Sequence, residues 1–83
     1  MIRKPVPGGQ WYQKCTRGTP TNIWRYWDGT RVWRRVIVAG QLHLAISSVM
    51  YHELQASAWR AVPPPIWADE VVLNPALIVR EGL

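Results

Sequence analysis

The sequence predicts a small α+β domain, an antiparallel and twisted β-meander of three to five strands packed against one helix. Three observations predict it. Short runs rich in Trp, Tyr, Val and Ile are separated by Gly, Pro, Asn and Asp, the residues that punctuate strands. Asp28-Gly29 lies between two such runs and signals a tight hairpin. Residues 47–56 place apolar side chains at helical spacing. The chain has 83 residues, so one domain is expected, and a domain this small buries only about 60% of the surface it exposes when unfolded.

The elements follow in order. Residues 1–9 read as an extended arm, because Pro5 and Pro7 forbid a helix and Gly8-Gly9 is flexible. Residues 10–83 form the domain. Residues 10–16 read as a first strand with Trp11, Gln13 and Cys15 on one face and Tyr12 and Lys14 on the other. Residues 18–22 carry turn chemistry. Residues 23–27 and 30–38 form a hairpin about Asp28-Gly29. Residues 41–46 alternate strictly and suit a fourth strand, yet Leu42, Ile46, Val49 and Met50 also fit a helix. From Ser47 the helical pattern wins: Ser47 or Ser48 can cap, and residues 49–56 contain good helix formers. Ile46, Val49, Met50 and Leu54 would then cover the sheet. Residues 58–62 read as a short strand ended by Pro63-Pro64-Pro65, which must be extended. Residues 69–73 suit another strand, cut off by Asn74-Pro75, and residues 77–79 a last one or a packed tail.

Composition sets two themes, tryptophan and positive charge. There are six Trp and no Phe, and the net charge is +5. Residues 1–35 hold eight Lys and Arg against Asp28 alone, a balance of +7, and residues 36–83 hold two Arg against four acids, a balance of −2. A Trp can bury about 150–250 Å², so a few indoles can replace the larger aliphatic core that a short chain cannot build. Adjacent strand residues point to opposite faces. Trp11 and Tyr12, and likewise Tyr26 and Trp27, therefore cannot share one core, and one of each pair is expected on the other face. Arg beside partly exposed aromatics is the composition of an interface, and it also suits phosphates and bases. The candidate binding residues are Trp24, Arg25, Tyr26, Trp27, Arg31, Arg34 and Arg35.

Other chemistry is sparse. No apolar run approaches the roughly 20 residues that span a bilayer, and no ordinary secretory signal is expected, since Pro5 to Gly9 follow the early charges. One cysteine, Cys15, allows no internal disulfide, and a cytoplasmic location is expected. His52-Glu53 opens like a zinc-protease motif, but Ala56 stands where the second His is required. His43, His52 and Cys15 have unrelated spacings, so no metal and no cofactor are expected. Cys15 has no context of a nucleophile, Asp69-Glu70 diverge on a strand, and Gly8-Gly9 is too short to cradle a phosphate. No enzyme is expected. Residues 47–56 carry no Lys or Arg, so a nucleic acid would have to meet the sheet or the arm.

Trp11-Tyr12, then Trp24-Arg25-Tyr26-Trp27-Asp28-Gly29-Thr30 and Trp33, resembles a Trp-rich hairpin of a domain of unknown function attached to bacterial membrane proteins. Ala58-Trp59-Arg60 with Pro63-Pro64-Pro65 is similar to the Trp-then-Pro-Pro ending of very small phage and prophage proteins. Gln13 stands where the hairpin pattern has Pro, and the spacing to Trp33 differs. The resemblance implies a phage or prophage accessory protein. Such proteins are typically non-enzymatic, and many bind and block a host or defence complex, anti-CRISPR-type inhibitors among them. The expected partner is thus such a protein complex, with nucleic acid as the alternative and no membrane.

Overall fold

The computed structural model describes residues 8–77 of the chain. Nearly all of the expected arm, and residues 78 and 79 of the expected last strand, lie outside them. The described residues form a single six-stranded mixed sheet: β1 (Gln10–Thr16), β2 (Thr19–Trp27), β3 (Val32–Val38), β4 (Gln41–Ile46), β5 (Trp59–Val62) and β6 (Val72–Leu73). The spatial order is β5-β1-β2-β3-β4-β6, antiparallel throughout except that β6 runs parallel to β4. The fold is all-β, which corrects the expected α+β class and its three-to-five-stranded antiparallel meander.

The correction centres on residues 47–56. No α-helix forms among the described residues; this segment holds one 3-10 turn at Tyr51–Gln55, and a second turn lies at Ala68–Glu70. The reason is geometric. The connection must pass from β4 to β5 over four strand spacings, about 19 Å, whereas a ten-residue helix is only about 15 Å long. It would also need a continuous apolar stripe. Met50 and Tyr51 are exposed, and Leu54 is the segment's one fully buried side chain. A helix so short gains little without tertiary packing. A single turn is closed instead: the Glu53 carboxylate accepts the Met50 N–H and the Glu53 N–H donates to the Met50 carbonyl.

Three turns set the register. β1 and β2 join through Arg17-Gly18, and β3 and β4 through Ala39-Gly40, with all four residues at positive φ (52° and 78°, 50° and 80°). Both central positions at positive φ define the two-residue turn whose twist matches its strands. β2 therefore starts at Thr19, and Pro20 and Asn22, which read as turn residues, lie inside a strand. Pro20 is tolerated because the register shifts between Gln13 and Cys15. The Asp28-Gly29 hairpin is wider than the sequence suggests. Trp27 pairs with Val32, so the loop is Asp28 to Arg31. Asp28 Oδ1 accepts the N–H groups of Thr30 and Arg31, both at 2.7 Å, and Asp28 Oδ2 accepts the Trp33 indole N–H at 2.8 Å. The strand expected over residues 69–73 is reduced to Val72–Leu73 by the Ala68–Glu70 turn.

Each face of the sheet has its own cover. On one face Trp11, Tyr26, Trp33, Leu44 and Leu73 are buried with Val71, and Trp67 and Ala68 of the β5–β6 connection pack onto them. On the other, Tyr12, Val32 and Leu54 form a second cluster with Trp27, Val49 and Trp59, covered by the β4–β5 connection. The chain crosses one face and returns over the opposite one. This is how Trp11 and Tyr12, adjacent and pointing apart, are both buried.

Candidate functional site

The strand register divides the seven candidate residues between the two faces. Trp24, Tyr26 and Arg35 alternate with their neighbours onto the Trp33 face, and Arg25, Trp27 and Arg34 onto the opposite one, here the Arg34 face. Arg31 lies in the Asp28–Arg31 loop and is the one exposed member of the set. The seven do not meet on a single surface.

On the Trp33 face the candidates are structural. Tyr26 is buried against Trp11, with ring centroids 4.8 Å apart. Trp67, which the sequence reading did not single out, meets Trp11 and Trp24 edge-on at 5.3 and 5.1 Å and carries the Arg35 guanidinium over its ring at 4.6 Å. Beyond Arg25 and Arg34 the strands β2 and β3 no longer pair, and Trp67 bridges the residues that follow, Trp24 and Arg35. Burial lowers the pKa of Arg35 from its ordinary value and raises that of Tyr26. For Tyr26 the Asp28 charge adds to the rise, and a hydrogen bond with the Gly9 backbone opposes it.

The Arg34 face is chemically mixed. Arg25 and Arg34 stand directly opposite each other across β2 and β3, a like-charge pairing that costs stability unless other groups compensate. Arg25 is only 9% exposed; Nη1 donates to the Trp24 carbonyl at 2.8 Å and the guanidinium lies 5.3 Å from the centre of the Trp59 ring. Lys14 approaches the same ring at 5.9 Å. Stacking on an indole is worth roughly 0.5–2 kcal/mol, more where water is excluded. Gln55 donates to the Tyr12 hydroxyl at 3.3 Å and so ties the 3-10 turn to the sheet.

Toward the Asp28–Arg31 loop this face opens. A cleft of about 350 Å³ is lined by Trp27, Thr30, Arg31, Val32, Ile46, Ser47, Val49, Met50 and Tyr51. Trp27 and Tyr51 stack at 4.3 Å with 33° between their planes. Met50 and Tyr51 are exposed. Of the seven candidate residues Trp27 and Arg31 line this cleft; Tyr51, Met50 and Thr30, which line it too, were not among the candidates. Tyr51 and Met50 were hidden in the supposed helix.

The remaining candidates for chemistry are scattered. Cys15 is partly buried, with its Sγ 3.9 Å from the Gln13 carbonyl. His43 is buried, with Nδ1 3.5 Å from the Asn74 side-chain amide. Among the described residues no three His, Cys, Asp or Glu side chains gather to hold a metal ion. No helix among them is long and apolar enough to cross a membrane. No protein-family model, no curated protein and no solved structure matches this chain.

Proposed function

We propose that this chain is a non-enzymatic binding protein of the small phage-derived kind that its hairpin resembles. It acts in the cytoplasm of a bacterial host, where it blocks or modulates a host or defence protein complex, as anti-CRISPR-type inhibitors do. The observation that carries this reading is the open end of the Arg34 face. There the stacked pair Trp27 and Tyr51, the exposed Met50 and the exposed Arg31 form one patch. Aromatic, Met and Arg side chains around a partly desolvated depression are the composition of binding hot spots.

Capture from a bacterial host lysate tests the reading. Arg31→Ala and Tyr51→Ala are expected to lose the partner, and Arg60→Ala, on the opposite face, to keep it. Retention of every captured protein by all three variants removes this surface. DNA or RNA is the second reading, favoured by the gathering of Lys14 and Arg25 about Trp59 with Arg34 beside them. It requires a mobility shift at low salt that fades steeply as salt rises, since neutralised phosphates release counterions. A chain that retards no nucleic acid at low salt eliminates it.

A further inference from the structure

We infer that the cleft at the open end of the Arg34 face is a recognition site for an apolar C-terminal residue of the partner, with its side chain between Trp27, Tyr51 and Val32 and its carboxylate at Arg31 and Thr30. The inference rests on the binding-protein reading only for what carries that residue. The cleft, about 350 Å³, lies at the small end of the range of ligand sites, roughly 300–1,000 Å³. That suits one amino-acid residue rather than a cofactor. Its walls are apolar and aromatic: Trp27, Val32, Val49, Met50 and Tyr51.

The polar lining residues are Thr30 and Arg31 at the lip and Ser47 on the far wall, and the charge among them is positive. Arg31 is exposed, and among the described residues its guanidinium makes no hydrogen bond or ion pair. No acidic side chain lines the cleft. Asp28 and Glu53, which flank it along the chain, have carboxylates engaged with the amides of Thr30 and Arg31 and with the amide of Met50. A cation over an apolar cleft of one-residue size selects a ligand whose anion and apolar group belong to the same residue, and a chain terminus meets that condition.

The lip is also held ready. Two N–H groups of the loop and the Trp33 indole fix Asp28, and the Ser47 N–H donates to the Val32 carbonyl at 2.9 Å, joining the far wall to β3. A site ordered before binding loses less conformational freedom on binding. The exposed wall residues Met50 and Tyr51 lie on the connection that crosses this face, where a soft Met side chain can adjust to different apolar ligands.

The test is an NMR titration of the isolated protein with three probes: N-acetyl-phenylalanine, N-acetyl-phenylalaninamide and N-acetyl-phenylalanyl-aspartic amide. The terminal acid is expected to shift the amides of Val32 and Ser47 and the Trp27 indole, and to bind about tenfold more tightly than the uncharged amide. Arg31→Ala is expected to lower the acid's affinity to that of the amide and to leave the amide's unchanged. Arg31 is exposed, so the variant folds, and its spectrum away from the loop checks this. Equal affinities for acid and amide, no binding of either, or shifts confined to other residues overturn the site. Equal or tighter binding of the internal aspartate overturns the preference for a terminus. A protein captured equally by the wild type and by Arg31→Ala removes this cleft while the binding-protein reading stands. An absence of any captured partner removes that reading while the titration result stands.

Discussion

The two faces of the sheet are built from the same residue types and reach opposite results. The Trp33 face is closed: its strands contribute Trp11, Tyr26, Trp33 and Leu44, and the return crossing lays Trp67, Ala68 and Val71 over them. The Arg34 face alternates cations with apolar groups, and its crossing seats only Leu54 fully. One cover therefore completes a core, and the other bridges a surface and leaves a cleft at its end. A small domain can bury one apolar face completely and still present aromatics on the other. The first face then supplies the larger core, and the second leaves Met50 and Tyr51 exposed.

Loss of the closed face should have the largest effect. Trp33 is 1% exposed and its indole holds Asp28. Trp33→Ala is expected to cost about 3–5 kcal/mol, enough to unfold a domain of this size, and thermal denaturation would show the transition lost. A variant that still melts cooperatively near the wild-type temperature would show that this face is not the core. Leu54→Ala comes next. It removes the one deep anchor of the other crossing and is expected to cost about 2–4 kcal/mol. Because the Trp33 face keeps its own cover, hydrogen exchange should rise in residues 47–58 before it rises in β3 and β4. Uniform loss of protection would break the distinction between the faces.

A smaller effect tests how tightly the closed face is packed. A Cβ on Gly9 would collide with the Tyr26 hydroxyl and lie 2.6 Å from the Trp27 carbonyl. Gly9→Ala is expected to cost about 1–3 kcal/mol in chemical denaturation, and an unchanged midpoint would mean that residue 9 does not sit against Tyr26. The same tyrosine gives a pH signature. Burial raises its pKa above the ordinary 10.0, so the folded state holds the phenolic proton more firmly than the unfolded chain does. The associated stability is fully present below pH 10 and is lost as pH climbs from there toward the raised value. Tyr26→Phe should flatten that alkaline decline, and a variant whose decline matches the wild type would assign it to another group. The smallest stability effect belongs to the open face: Arg31→Ala should change the melting midpoint by no more than about 0.5 kcal/mol equivalent. A larger loss would make Arg31 structural and not a lip residue.

Much of the sheet was legible because strands announce themselves locally. Trp11 and Tyr12, Val32 to Val38 and Gln41 to Ile46 alternate or carry β-branched and aromatic residues, and each became a strand. The segment 47–56 misled because Val49, Met50 and Leu54 have helical spacing, while the length and direction of the crossing depend on where β5 lies. The left-handed turn at Arg17-Gly18 was hidden by Pro20 and Asn22, which carry a stronger turn signal but sit beside a strand irregularity. Of the candidate site, Trp27 and Arg31 were legible as an aromatic and a cation at a hairpin. Their companion Tyr51 was not, because it is distant in sequence and reaches Trp27 only through the crossing.

By itself the sequence determined where most of the strands lie, that the chain reverses at Asp28-Gly29 and that adjacent aromatics face apart, since these follow from side-chain alternation and local turn chemistry. Only the tertiary structure decided which indoles are core. Alternation says that Trp11 and Tyr12 part company, but burial depends on what lies over each face, and the covers come from residues 47–58 and 63–71. Strand alternation and register divide the cations between the two faces, and the first crossing makes the cleft where Trp27, Arg31 and Tyr51 converge.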